Sequence, residues 1–183
     1  MNRLMIVALA CLAASCSSYR NHHVRADGAS DEHFALFKEL EGDWYAVDEN
    51  GDPTEDLLLR YELTADDTAV MERVFPGESY EMITMYYLDG GNLMLTHYCA
   101  MGNQPTMIEM PTDSQRVVIF EFYRGTNLDT SQDTYMHDAK FEFIDVDRMR
   151  STWRLHKNGK PSGEEVMDVM RVEDHNETIE VRE

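Results

Sequence analysis

From Trp44 onward the sequence keeps a period of two, and turn residues interrupt it roughly every ten positions. Strands are predicted on this pattern over 43–47, 56–63, 69–75, 80–88, 92–100, 106–110, 116–123, 137–145, 148–157 and 165–172. Pro76-Gly77-Glu78, Asp89-Gly90-Gly91 and Asn158-Gly159 are typical of the separators, supplying the fixed or left-handed φ that reverses a chain. A meander of about ten antiparallel strands carries two unpaired edges unless its ends meet, and closure removes both. The expected fold is all-β: a closed up-and-down antiparallel barrel of about ten strands with one short N-terminal helix. That helix is predicted over 31–40, where Ser30 offers a cap, Asp31 and Glu32 sit in the first turn, and Phe34, Phe37 and Leu40 recur at helical spacing. It would plug or flank one end of the barrel.

The residues before the helix give an address. Arg3, an apolar run from Leu4 to Ala14, and Ser15-Cys16 have the layout of a secretory signal, and the run is too short to span a bilayer. Leu12-Ala13-Ala14-Ser15-Cys16 resembles a bacterial lipobox, in which cleavage leaves a lipidated Cys16; an ordinary small-residue cleavage site would cut at the same bond. The expected organisation is a lipoprotein signal peptide over 1–15, the lipidated Cys16 with a flexible polar tether over 16–30, a barrel over 31–175 and a polar tail over 176–183. The mature protein is then exported and lipid-anchored in the cell envelope, at the outer membrane facing the periplasm in a Gram-negative host.

The chain of 183 residues has a formal net charge of −19, and loss of the signal removes Arg3 but no acid. Such a surface repels phosphate backbones and anionic headgroups, which argues against nucleic-acid binding and against a peripheral basic-patch membrane contact. Of three cysteines, Cys11 leaves with the signal and Cys16 is the lipidation site, so Cys99 has no disulfide partner.

Alternation along each strand assigns the interior. Leu57, Leu59, Tyr61 and Leu63 face in, as do Ala139, Phe141 and Phe143, and the same parity places His137 inside. In the ninth strand Met149, Ser151, Trp153 and Leu155 face in and His156 faces out. The fifth is apolar on both faces; the assignment preferred here turns Leu93, Leu95, His97 and Cys99 inward and Met94, Thr96 and Tyr98 outward. One long loop, 125–135, is a candidate lid.

His97 and Cys99 suggest a nucleophilic pair, but neighbours two apart on a strand have Cα atoms roughly 6.5–7 Å apart and parallel side chains. Cys99 therefore reads as a buried thiol. A metal or haem site would draw on His97 and His137, with an inward carboxylate such as Glu72 or the Cys99 thiolate, but no ligand spacing in the sequence supports it. The pattern is best met by a barrel cavity that holds a small, largely apolar molecule, with His97, Asn103, Gln104 and His137 as polar groups at its mouth and Tyr61, Phe141 and Trp153 as walls. This reading calls for no cofactor and assigns no catalytic residue. The alternatives are an enzyme, or a haem or transition-metal protein, using His97 and His137 in the same cavity, and a structural envelope protein with a filled barrel.

Gly42-Asp43-Trp44, opening the first strand after a short helix, resembles the Gly-x-Trp signature of calycins, the superfamily of lipocalins and fatty-acid-binding proteins. The ordered set Phe75-Pro76-Gly77, Leu88-Asp89-Gly90, Leu95-Thr96-His97-Tyr98-Cys99, Gly102-Asn103-Gln104-Pro105, Met136-His137 and Trp153 resembles the bacterial domain of unknown function 1579, across roughly Phe34 to Val172. The resemblance implies a calycin-like barrel and, by a longer step, kinship with haem-binding nitrobindin-like barrels. It carries no activity and no haem-ligand motif onto these residues.

Overall fold

The computed structural model describes residues 29–172. The signal peptide, Cys16, nearly all of the tether and the polar tail lie outside the described residues. A helix α1 (Ala29–Lys38) precedes ten strands: β1 (Gly42–Val47), β2 (Pro53–Thr64), β3 (Ala69–Val74), β4 (Met82–Asp89), β5 (Asn92–Tyr98), β6 (Gln104–Met110), β7 (Val117–Thr126), β8 (Thr134–Phe143), β9 (Arg148–Lys157) and β10 (Lys160–Arg171). Each strand pairs antiparallel with its sequence neighbours, and β1 also pairs with β10, so the sheet closes as an up-and-down barrel. The expected architecture is the observed one.

The helix plugs one end. Phe37 is fully buried, stacks on Tyr86 at 4.3 Å between ring centroids, and meets Phe141 at 5.2 Å and Phe143 at 5.4 Å edge-on. Aromatic pairs in these offset and edge geometries gain more than their area burial alone. Polar contacts set the helix's angle: Ser30 donates to Glu109 Oε2 at 2.6 Å, His33 Nδ1 lies 2.6 Å from Glu109 Oε1, and His33 Nε2 lies 3.2 Å from the Ser114 carbonyl. Ser30 is therefore the second helical residue rather than a cap, and the helix starts and ends two residues earlier than predicted.

At the helix's other end, Trp44 Nε1 donates to the Leu40 carbonyl at 2.7 Å. The Arg171 guanidinium lies over the Trp44 ring and donates to the carbonyls of Glu39 and Glu41 in the turn that follows the helix.

Two predicted features need correction. The loop predicted over 125–135 as a candidate lid is shorter, because β7 continues to Thr126 and β8 begins at Thr134. What remains is a self-bonded turn: Asp129 N donates to the Asp133 carboxylate and Ser131 N to the Asp129 carboxylate. Leu128 folds back on Gly125, where an added Cβ would stand 2.6 Å from Leu128 Cδ2.

The second correction concerns His137. Met136 pairs with Leu155 and Asp138 with Arg154, so two steps along β8 match one along β9 and His137 is the extra residue of a β-bulge. The bulge resets the alternation. Met136 and Ala139 both face in, while His137 joins Asp138 and His156 on the outer wall.

The plug makes a quantitative claim. Phe37→Ala is expected to lower the unfolding free energy by about 4 kcal/mol in urea titration, the cost of emptying a fully packed aromatic site.

Candidate functional site

The plug fills only the end of the barrel where β2 meets β3 and β4 meets β5. At the opposite end the interior holds a cavity of about 270 Å³, lined by apolar side chains from β3, β4, β8, β9 and β10 and by the end of β5 with the turn after it. Met82, Met101, Met136 and Met167 supply four thioethers to its wall, and Trp153 supplies the largest flat face. Thioethers are polarizable and flexible, so this lining can mould itself to an apolar guest. Phe75, which closes β3, holds a left-handed φ of 56°, a costly conformation for a bulky residue and one that recurs at binding sites. Its ring meets the half-exposed Tyr80 edge-on at 5.3 Å.

His97 is the buried polar side chain of this lining. It is 2% exposed, its ring lies 5.1 Å from that of Trp153, and its Nε2 has no hydrogen-bond partner. Nδ1 lies 3.0 Å from the Thr84 hydroxyl. Burial alone pushes its pKa down to about 4, so the imidazole is neutral at physiological pH.

Behind His97 runs a row of directly opposed residues across four strands: Tyr61 on β2, Glu72 on β3, Thr84 on β4 and His97 on β5. Glu72 is fully buried. Tyr61 donates to its Oε1 at 2.6 Å and Tyr86 to its Oε2 at 2.8 Å, and Thr84 stands directly opposite it on β4 with its hydroxyl near the carboxylate. Burial raises the Glu72 pKa, and the three hydroxyls oppose that rise. Burial first and the adjacent carboxylate second push both phenols well above the usual tyrosine range.

The other expected site residues are dispersed. Trp153 is a wall, as expected. Tyr61 and Phe141 are buried but lie outside the cavity lining: Tyr61 serves Glu72, and Phe141 packs against Phe37 in the plugged end. Asn103 is buried and donates from Nδ2 to the Thr134 carbonyl at 2.9 Å, tying the β5–β6 turn to the start of β8. Gln104 lies in a groove on the outer wall with Tyr87, Thr96 and Arg124; its amide donates to Gly102 O and accepts from Thr126. Cys99 is a buried free thiol whose pKa burial raises, so it is a poor nucleophile. It nevertheless lines the cavity, as do Val74, Leu155 and Glu165. Continuing the inward parity of strands three, nine and ten to their ends would have found most of that lining.

His97 and His137 share no site, because the barrel wall lies between them. His137 stacks on His156 at 3.8 Å with 12° between planes, and the ligand atoms of His137, Asp138 and His156 lie within 4.8 Å of one another. Metal ligation needs in-plane lone pairs that converge, and those of two parallel stacked rings do not. Arg154 also holds the Asp138 carboxylate at 3.2 Å. Partial burial first and the neighbouring His137 second push the His156 pKa down, against the pull of Asp138. As they stand, these three residues form a stacked pair tied to a salt bridge rather than a metal centre.

No family model matches the chain, and no curated protein matches it.

The burial of His97 fixes a pH dependence. The unfolded chain takes up a proton near the ordinary histidine pKa of 6.5, whereas the folded chain refuses it until about pH 4. His97 therefore removes stability as pH falls through that window, while Glu72, with its raised pKa, acts in the opposite sense. The penalty of His97→Gln is expected to shrink by roughly 2 kcal/mol between pH 7 and pH 4.5 in urea titrations. An unchanged penalty would show that His97 titrates normally.

Proposed function

We propose that this protein is an envelope lipoprotein that binds a small, largely apolar molecule inside its barrel and performs no chemistry on it. The observation that carries the reading is the one-sided filling of the interior: the helix packs one end completely and leaves a methionine-lined cavity at the other, with one unpartnered imidazole nitrogen in its wall. A mainly apolar cavity with a few polar groups to orient a guest is the usual form of a small-molecule site. The catalytic alternative has less support. The carboxylates near His97 are Glu72, whose two oxygens accept from Tyr61 and Tyr86, and Glu165, which lines the cavity from an exposed position on β10.

The calycin-like kinship implied by Gly42-Asp43-Trp44 agrees with this architecture, as does membership in the bacterial domain of unknown function 1579. Among the described residues no helix is long and apolar enough to cross a membrane, so attachment would fall to lipid on Cys16. The chain enters the barrel at the plugged end, through α1. An anchored molecule would then hold the cavity on the side away from its point of attachment.

Two experiments test the two halves of the proposal. Protein purified from its own host and sprayed under native conditions is expected to carry a small apolar guest, and the stripped protein to bind naphthalene saturably in calorimetry. Met167→Trp, which fills the cavity from β10, should abolish that binding while the thermal midpoint stays within a few degrees. A bare apo mass together with no naphthalene binding would remove the binding reading. Cys16→Ser is expected to lose incorporation of a clickable palmitate analogue and to leave the membrane fraction; a variant that stays there overturns the anchor.

A further inference from the structure

The row of residues behind the cavity bears on which nitrogen of His97 carries its proton, and so on what kind of guest the cavity accepts; this rests on the binding reading above. A hydroxyl has one proton to give. Tyr61 and Tyr86 each give theirs to one oxygen of Glu72, at 2.6 and 2.8 Å. Thr84, directly opposite Glu72 in the sheet, has the same carboxylate in reach, the strongest acceptor near it. A Thr84 proton turned toward that carboxylate leaves the hydroxyl oxygen to accept from the imidazole 3.0 Å away. In that arrangement His97 is the tautomer with its hydrogen on Nδ1. Its Nε2, buried and without a partner in the cavity lining, is a bare lone pair.

We propose that the cavity selects compact apolar molecules that carry one hydrogen-bond donor, a hydroxyl or an N–H, and places that donor on His97 Nε2. The volume bounds the guest. A cavity of 150 Å³ accommodates benzene, so one of about 270 Å³ suits roughly ten heavy atoms, the size of a fused bicyclic ring. An apolar guest leaves Nε2 as it is. A guest that offers only an acceptor sets a second lone pair against the first on a buried nitrogen, and neither is then satisfied by the other. Thr84 is a positioning residue here: it touches no guest, and it transmits the state of Glu72 to the imidazole.

Indole, indene and benzofuran test this directly. They share one shape and differ at a single ring position, which is a donor in indole, a carbon in indene and an acceptor in benzofuran. Titrated calorimetrically into the full purified chain at pH 7, indole is expected to bind about tenfold or more tighter than benzofuran, with indene between them. Equal affinities, or a preference for benzofuran, would overturn the selectivity while leaving the cavity a binding site. Failure of all three to bind saturably overturns the binding reading itself. Independently of any guest, long-range proton–nitrogen spectra of labelled protein should show His97 Nε2 unprotonated; a proton found there refutes the tautomer. In Thr84→Val, a near-isosteric change, the indole-to-benzofuran ratio should collapse toward one and the His97 nitrogen spectrum should report mixed tautomers. A Thr84 that served only packing would leave both readouts unmoved.

Discussion

Arg171 is where the ring closes. It is the Cα partner of Trp44 across the β1–β10 pairing that converts a ten-strand meander into a barrel. From that position its side chain reaches four other parts of the fold: the indole of Trp44, the carbonyls of Glu39 and Glu41 after the helix, the carbonyl of Val146, and the carboxylate of Asp147 in the β8–β9 turn. A planar cation with five donors can do this where an ammonium could not, because each N–H has a fixed direction and the flat face remains free to lie on a ring. Closure, helix docking and the seating of a distant turn are thereby one event rather than three.

With the ring closed, the two ends of the interior are free to differ. The plugged end is a solid aromatic core, fastened by Glu109 to Ser30 and His33. The other end has no equivalent plug among the described residues, and four of the residues in its wall are flexible methionines. Between them lies the buried Glu72 network, too polar to belong to either. Packing precision has been concentrated where the chain needs rigidity, and adaptability where a guest would sit.

Much of this architecture was legible in the sequence, because alternation and turn chemistry are local signals. The inward faces of Leu59, Tyr61, Phe141 and Trp153 follow from parity alone, and the preferred of two assignments for the fifth strand adds Leu95 and His97. Parity fails at His137 because an inserted residue reverses it, and no local pattern around Met136-His137-Asp138 announces the insertion. It also cannot say how far one strand has slid along the next. Tyr61, Glu72 and His97 read as inward residues, but that they stand abreast, with Thr84 between the last two, depends on three successive registers. Asn103 and Gln104 were conspicuous as amides in a Gly-Pro turn, and both hold that turn together. A turn that must satisfy its own backbone uses the same side chains as a binding loop does.

The methionine lining has a chemical consequence beyond packing. A thioether exposed to peroxide becomes a sulfoxide, larger, polar and no longer tolerant of an oily neighbour. Met101 is 44% exposed and Met82 and Met167 are partly so, while Met136 lies deeper. Oxidants would therefore reach the wall in that order, from its rim inward. The packed core at the far end contains chiefly phenyl, indole and aliphatic groups, which the same reagents leave alone. In an oxidising surrounding the cavity would lose its apolar character residue by residue while the barrel around it stayed folded.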